Sequence, residues 1–173
     1  MNAEELRACQ APLKERYKER PGDALITLRA TGRIEPGRQA CVIVSEHGPT
    51  TVAGLHPAAG GSGADACSGD MFLQALIACA GVTLATVATA LGIPVRGGTA
   101  TAEGDIDFRG TLGVSREVPI GFTAIRLKFD LDTDASDEQL AKLLQLTERF
   151  CVNFQTLRTP PSLSASCVRA GAV

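Results

Sequence analysis

Residues Met71–Leu91 read MFLQALIACAGVTLATVATAL, an unbroken uncharged run with one cysteine, Cys79, near its middle. Its length reaches the roughly 20 residues that a helix needs to cross a bilayer. Its content argues otherwise, because Ala, Thr and Gly make up much of the run and no basic flank sets an orientation. Met71, Phe72, Leu73, Leu76, Ile77, Val82, Leu84, Val87 and Leu91 fall on every face of a helix, the pattern of a helix wrapped by protein on all sides. A central core helix is expected, not a membrane span. Ala75, Ala78, Ala80 and Gly81 are small enough to let a second helix or a second subunit approach closely. Cys79, Thr83 and Thr86, spaced i, i+4 and i+7, share one mildly polar face.

The whole chain is consistent with a packed helix. Its 173 residues, 45% hydrophobic and 21% charged, suffice for one globular domain with a real core. One domain over residues 1–173 is expected, with residues 1–20 as an N-terminal helical arm. A net charge of −2, from 17 basic and 19 acidic residues without a Lys/Arg run, leaves no electrostatic footprint for nucleic acid or anionic lipid. The partners expected are small molecules or a second copy of the chain. The opening MNAEELRACQAPLKERYKERPGD mixes charges of both signs and has no apolar signal segment, so a cytoplasmic location, where thiols are kept reduced, is expected. Cys9, Cys41, Cys67, Cys79, Cys151 and Cys167 contain no C-x-x-C pair and suggest neither a zinc site nor a secreted disulfide scaffold. No metal or cofactor is expected.

Strands and one further helix surround the central run. EELRACQAPLKERYKER is an amphipathic N-terminal helix interrupted or started at Pro12. ALITLRATGRI, RQACVIVSEHG and TTVAGL read as strands separated by turns at EPG and HGP. The Gly/Ala-rich loop HPAAGGSGADACSGD then enters the central helix, with Ser68 or Asp70 as cap or first-turn acid. Beyond the helix, GIPVRGG turns the chain into TATAEGDIDFRG, and GFTAIRLKFDLD alternates as a half-buried strand does. SDEQLAKLLQLTERF opens with the box Ser136-x-x-Gln139 and sets Leu140, Leu143, Leu144 and Phe150 on a helical stripe. CVNFQTLR follows, Pro160-Pro161 stops any helix, and SLSASCVRA closes as a final strand. The order β, β, β, α, β, β, α, β predicts an α+β fold, with antiparallel sheet packed around two central helices.

Two features together carry a family resemblance: the helix DMFLQALIACAGVTL after a Gly-rich loop, and a second cysteine in TERFCVNF behind a later helix. Over roughly Ala24 to Val168 the chain resembles the OsmC/Ohr family of organic hydroperoxide reductases. The resemblance implies an intertwined homodimer with sites at the subunit interface, a peroxidatic Cys79 and a resolving Cys151. It also implies an arginine at a glycine-containing turn, matched by Arg33, with Arg29 and Arg38 as close competitors. Organic hydroperoxides are the implied substrates and a small dithiol such as dihydrolipoamide the implied reductant. Two positions depart from the family pattern: Asp70 is the nearest carboxylate where a glutamate is implied at the front of the helix, and Cys151 is followed by Val152 instead of proline.

Thiol chemistry makes its own demands. A free cysteine has a pKa of about 8.5, and only the thiolate attacks a peroxide O–O bond. Cys79 sits mid-helix, beyond the turn over which its own helix N-terminus acts, so a cation from Arg33 or His56 is expected to stabilise it. An arginine suits this better, being always charged and able to bond the leaving oxygen. Attack yields a sulfenic acid that a second thiol condenses with, provided the two Cα atoms lie about 4.4–6.8 Å apart. Cys67, beside the start of the helix, is the rival nucleophile, and Cys41 is expected in the core. His56 and Asp70 are expected at the substrate site, and Phe72, Phe150 and Phe154 are expected to carry the substrate's alkyl part. The alternative is a non-catalytic dimer of the same fold that binds a lipophilic molecule in an interface pocket, its thiols being packing residues.

Overall fold

The computed structural model describes residues 1–44, 48–169 and 171. The helix read from the sequence is α2, Ser68–Leu91, which starts one turn earlier than Met71 and ends at Gly92. Gly92 has φ 67°, and its N–H donates to the carbonyls of Ala88 and Thr89; the left-handed conformation that closes the helix there favours glycine. Cys67 is the N-cap, its side chain making no capping bond, and Asp70 supplies the first-turn acid. Within one chain α2 buries a single stripe, Leu76, Ala80, Leu84, Val87 and Ala88, while Phe72, Val82 and Leu91 are exposed. The all-round apolar surface thus exceeds what one chain covers.

That stripe packs on α4, Asp137–Phe150, on the short α5, Val152–Arg158, and on the strand β5, Val95–Ile106. The core joins Leu84, Val87, Ala88 and Ile93 to Leu143 of α4, flanked by Val95, Phe129, Leu131, Ala135 and Leu146. As the box predicts, Ser136 Oγ accepts from the Gln139 N–H and the Gln139 side chain accepts from the Ser136 N–H. The buried stripe of α4 differs from the expected one. Leu143 and Thr147 are buried, whereas Leu144 and Phe150 face outward. Thr147 tolerates burial because its hydroxyl donates to the Leu143 carbonyl, 2.8 Å away.

β5 pairs antiparallel with β6, Phe122–Thr133, from Val95↔Thr133 to Ile106↔Phe122. β5 starts inside the GIPVRGG stretch and stops before the four-residue helix α3, Phe108–Thr111, so it is displaced toward the N-terminus from the expected strand. On β6 Ile125, Leu127, Phe129 and Leu131 are half-buried, and the residues between them are exposed. The exposed face carries cross-strand ion pairs, such as Arg126 with Asp105 and Glu103. Gly104 is required by close packing: a Cβ there would come 2.5 Å from the Phe122 ring.

A second sheet has the order β1-β2-β3-β4, with β1 Thr31–Glu35, β2 Ala40–Val44, β3 Thr51–Gly54 and β4 Ala66–Cys67. The first three pair antiparallel, but β4 lies parallel to β3, through Ala53↔Ala66 and Gly54↔Cys67. The four-stranded sheet is therefore mixed within an α+β fold, while β5–β6 is antiparallel as expected, and β4 was hidden in the Gly-rich loop, being only two residues long. The expected strands were also too long. Residues 25–30 lie outside β1, Arg38 belongs to a 3₁₀ turn, and residues 45–47, including His47 of the HGP turn, fall outside the described residues. The final strand is absent over residues 162–169, where Leu163 is 91% and Val168 87% exposed, because no ladder partner within the described chain reaches it. The N-terminal helix α1, Ala3–Glu19, runs through Pro12, and its start is secured by a box between Asn2 and Glu5. Pro12 lacks an N–H, so it withholds one helical bond without breaking this exposed helix.

Candidate active site

The mid-helix position of Cys79 and the break between α4 and α5 bring two sulfurs together. Cys151 is at once the C-cap of α4 and the N-cap of α5, held extended at φ −74° and ψ 113°. Its N–H donates to the Thr147 carbonyl and its carbonyl accepts from the Gln155 N–H. Fixed from both sides, its thiol points at α2, and its Sγ lies 3.4 Å from the Sγ of Cys79. Cys151 is 0% exposed, while Cys79 is half-buried. The two thiols are 72 positions apart in sequence.

Their surroundings set them apart. Burial pushes the Cys79 thiol up, but the Asn153 N–H, the Cys151 thiol, the Val152 N–H and the Thr83 hydroxyl together outweigh it and hold Cys79 below the ordinary thiol range. The Thr83 hydroxyl is mainly spent elsewhere, donating to the Cys79 carbonyl at 2.8 Å. Burial pushes Cys151 up, and the bond to Cys79 and that sulfur's charge add to the rise. The Phe154 N–H, 3.5 Å from the Cys151 sulfur, only partly offsets them. The two shifts run in opposite directions, so Cys79 is the thiol of the pair that ionises more readily and Cys151 the one that holds its proton longer. The stabilising groups are two peptide N–H dipoles at the start of α5, the Cys151 thiol and the Thr83 hydroxyl, not a side-chain cation. Nothing in the sequence points to Val152 and Asn153, because the relation exists only once α5 is docked on α2.

The other expected site residues are placed differently. Arg33 lies on β1, and its guanidinium pairs with Glu35 at 2.6 Å; it makes no hydrogen bond or ion pair that reaches either sulfur within the described chain. His56 accepts the Ala58 N–H on Nδ1 at 3.0 Å and stacks on Phe108 with ring centroids 4.9 Å apart, so it fixes its loop. Asp70 is exposed in the first turn of α2. Phe150 is exposed at the end of α4, beneath the Arg149 guanidinium. Phe72 and Phe154 do meet. They line an open groove of about 710 Å³ with Leu76, Phe122, Ile125, Leu127 and Leu157, and Arg158 at its edge. Phe72 stacks on Phe122, whose seat Gly104 provides. Cys67, the rival nucleophile, caps α2 and makes no hydrogen bond to the pair. Among the described residues no His/Cys/Asp/Glu cluster suited to a metal ion occurs.

An α+β chain that seats one half-buried thiol of its central helix against a buried thiol from a helix junction belongs to the class of paired-thiol proteins. The family model described as OsmC-like protein matches residues 61–166, which span both cysteines, and the chain belongs to that family. Solved structures agree in fold. An OsmC-like protein from Mycoplasma pneumoniae superposes with a TM-score of 0.65 at 14% identity, covering 78% of this chain and 89% of its own. A Legionella pneumophila protein described as organic hydroperoxide resistance protein OsmC and predicted redox protein gives 0.61 at 15% identity, covering 78% and 93%. The organic hydroperoxide resistance protein OhrB of Bacillus subtilis gives 0.54 at 21% identity, again covering 78% and 93%. No curated protein matches the chain in sequence.

Proposed function

We propose that the protein is a thiol-dependent peroxidase that reduces organic hydroperoxides, with Cys79 as peroxidatic and Cys151 as resolving thiol. The observation that carries this reading is the pair itself: two free sulfurs 3.4 Å apart, the more accessible one biased toward thiolate and the enclosed one toward thiol. The Cys79 thiolate attacks the hydroxyl-bearing oxygen of the hydroperoxide, the O–O bond breaks, that hydroxyl stays on sulfur as a sulfenic acid, and the alkoxide takes a proton from solvent and leaves as the alcohol. The Cys151 thiol then attacks that sulfur; an S–S bond forms and water departs. A small dithiol such as dihydrolipoamide restores both thiols through a mixed disulfide and is itself oxidised to a disulfide. The groove lined by Phe72 and Phe154 suits an alkyl or aryl substituent, and a reducing cytosol suits the cycle.

The working form is an intertwined homodimer. Exposed Val82 and Leu91 on α2, and Leu25, Ile26 and Leu28 before β1, are apolar surface that one chain leaves in water. Arg33, which pairs with Glu35 and bonds neither sulfur in the described chain, fits an interface site in which the partner subunit's Arg33 bonds the leaving oxygen. The groove also favours a second reading, a non-catalytic dimer that holds a lipophilic molecule there. Peroxide consumption with a dithiol separates the two. Wild type is expected to turn over cumene hydroperoxide, Cys79→Ser to lose turnover, and Cys151→Ser to trap a dimedone-reactive sulfenic acid at Cys79. Consumption unchanged by Cys79→Ser, or none in wild type with both thiols still free after peroxide, leaves the binding reading as the better one.

A further inference from the structure

α5 is short and exposed on much of its surface, yet its first two N–H groups are among those that hold Cys79 below an ordinary thiol, beside the Cys151 thiol and the Thr83 hydroxyl. Neither N–H makes a well-aligned hydrogen bond with the sulfur, so their effect depends on how closely α5 is held. Two side chains tether it. Gln155 Nε2 donates to the Glu148 carbonyl at 2.7 Å, joining α5 back to α4. Asn153 Nδ2 donates to the Ala75 carbonyl, also at 2.7 Å, and among the described residues this is the only hydrogen bond from an α5 side chain to the backbone of α2. Ala75 is four residues before Cys79, so its carbonyl is also the acceptor that a regular helix assigns to the Cys79 N–H. The same residue therefore grips the backbone one turn from Cys79 and carries one of the N–H groups that lower its thiol.

We propose that Asn153 is a positioning residue: its carboxamide, bonded to the Ala75 carbonyl, clamps the start of α5 to α2 and so keeps the N–H groups of Val152 and Asn153 over the Cys79 sulfur. It touches no substrate and acts through those N–H groups. The proposal rests on the reading of Cys79 as an activated thiol and names a further residue that the activation needs. The residue type matters. The amide supplies an N–H donor of the right reach, whereas leucine has the size without the donor and serine has a donor that is too short.

The test is the pH dependence of iodoacetamide alkylation at Cys79 in the full-length protein, followed by peptide mass spectrometry, which requires neither peroxide nor reductant. Asn153→Leu is expected to raise the midpoint by about half to one pH unit and to slow alkylation at pH 7 by about threefold or more. Gln155→Leu, which cuts the equivalent tether to α4, is the structural control; it is expected to lower the melting temperature and leave the midpoint in place. Asn153→Ser gives the same reading where Asn153→Leu does not fold. A low wild-type midpoint that stays put in both Asn153 variants, or that moves equally in Gln155→Leu, overturns the role of Asn153 and leaves the peroxidase reading standing. A wild-type Cys79 midpoint in the ordinary thiol range overturns both.

Discussion

Cys79 and Cys151 are the same residue type in nearly touching positions, and the protein assigns them opposite tendencies by what each sulfur faces. Cys151 faces a packed interior and a neighbouring sulfur, both of which favour its neutral form. Cys79 is offered a thiol proton and two peptide N–H groups, and these favour the anion despite partial burial. The sign of the pH dependence follows. A depressed value means that the thiolate fraction of Cys79 grows at lower pH than that of a free thiol, and a raised value delays Cys151 to higher pH. Alkylation between pH 6 and 7 is therefore expected to modify Cys79 first and Cys151 last, with the ordering narrowing as pH rises. Peptide mapping of iodoacetamide adducts at several pH values checks it, and fastest labelling at Cys67 would reassign the nucleophile. The arginine that the resemblance implies is not needed for this bias within one chain, since Arg33 is occupied by Glu35.

At the scale of elements, the site is a product of how α4 ends. The helix is fixed at its start by the Ser136–Gln139 box and along its length by Leu143, buried in the core shared with α2. Its last turn delivers Cys151, and the chain then restarts as α5, so any tilt of α4 moves the Cys151 thiol and the first N–H groups of α5 together. Leu143→Ala removes a side chain that is 1% exposed and opens a cavity at that contact. It is expected to cost about 2–5 kcal/mol of stability, measured by urea unfolding, and to slow formation of the Cys79 to Cys151 disulfide. A loss below about 1 kcal/mol would mean that the α2–α4 contact is looser than the fold shows. On the same scale, the Phe72–Phe122 stack seated on Gly104 ties β5 and β6 to the shape of the groove as well as to the core.

For the whole molecule the question is what covers the surface that one chain leaves bare. The four-stranded sheet contributes only Ala40 and Ala53 to the buried set, and its contact with α2 runs through β4. Residues 25–30 and 162–169 run without regular secondary structure, carry exposed Leu25, Ile26, Leu28, Leu163 and Val168, and have no strand partner in the described chain. Unpaired backbone beside apolar side chains is where a second chain adds strands. An obligate homodimer is expected, so unfolding should become harder as concentration rises. Light scattering at micromolar concentration, with melting temperatures over a hundredfold dilution series, checks both, and a folded monomer with a constant melting temperature would remove this reading.

Much of the architecture was legible from local pattern. The uncharged run marked α2, the box and leucine spacing marked α4, and the alternation in GFTAIRLKFDLD marked β6, because these signals come from neighbours within one or two turns or along one strand. The pair of cysteines was legible through resemblance alone, since nothing in a spacing of 72 positions implies contact. Tertiary structure decided the rest: the 3.4 Å between sulfurs, the N–H groups of α5 over Cys79, the choice of Phe72 and Phe154 over Phe150 for the groove, and the engagement of His56 with its own loop. The physical reason is common to all of these. Periodicity states which face of an element is apolar, whereas distances between elements depend on the angle and depth at which they dock, and those are set by many side chains packing at once.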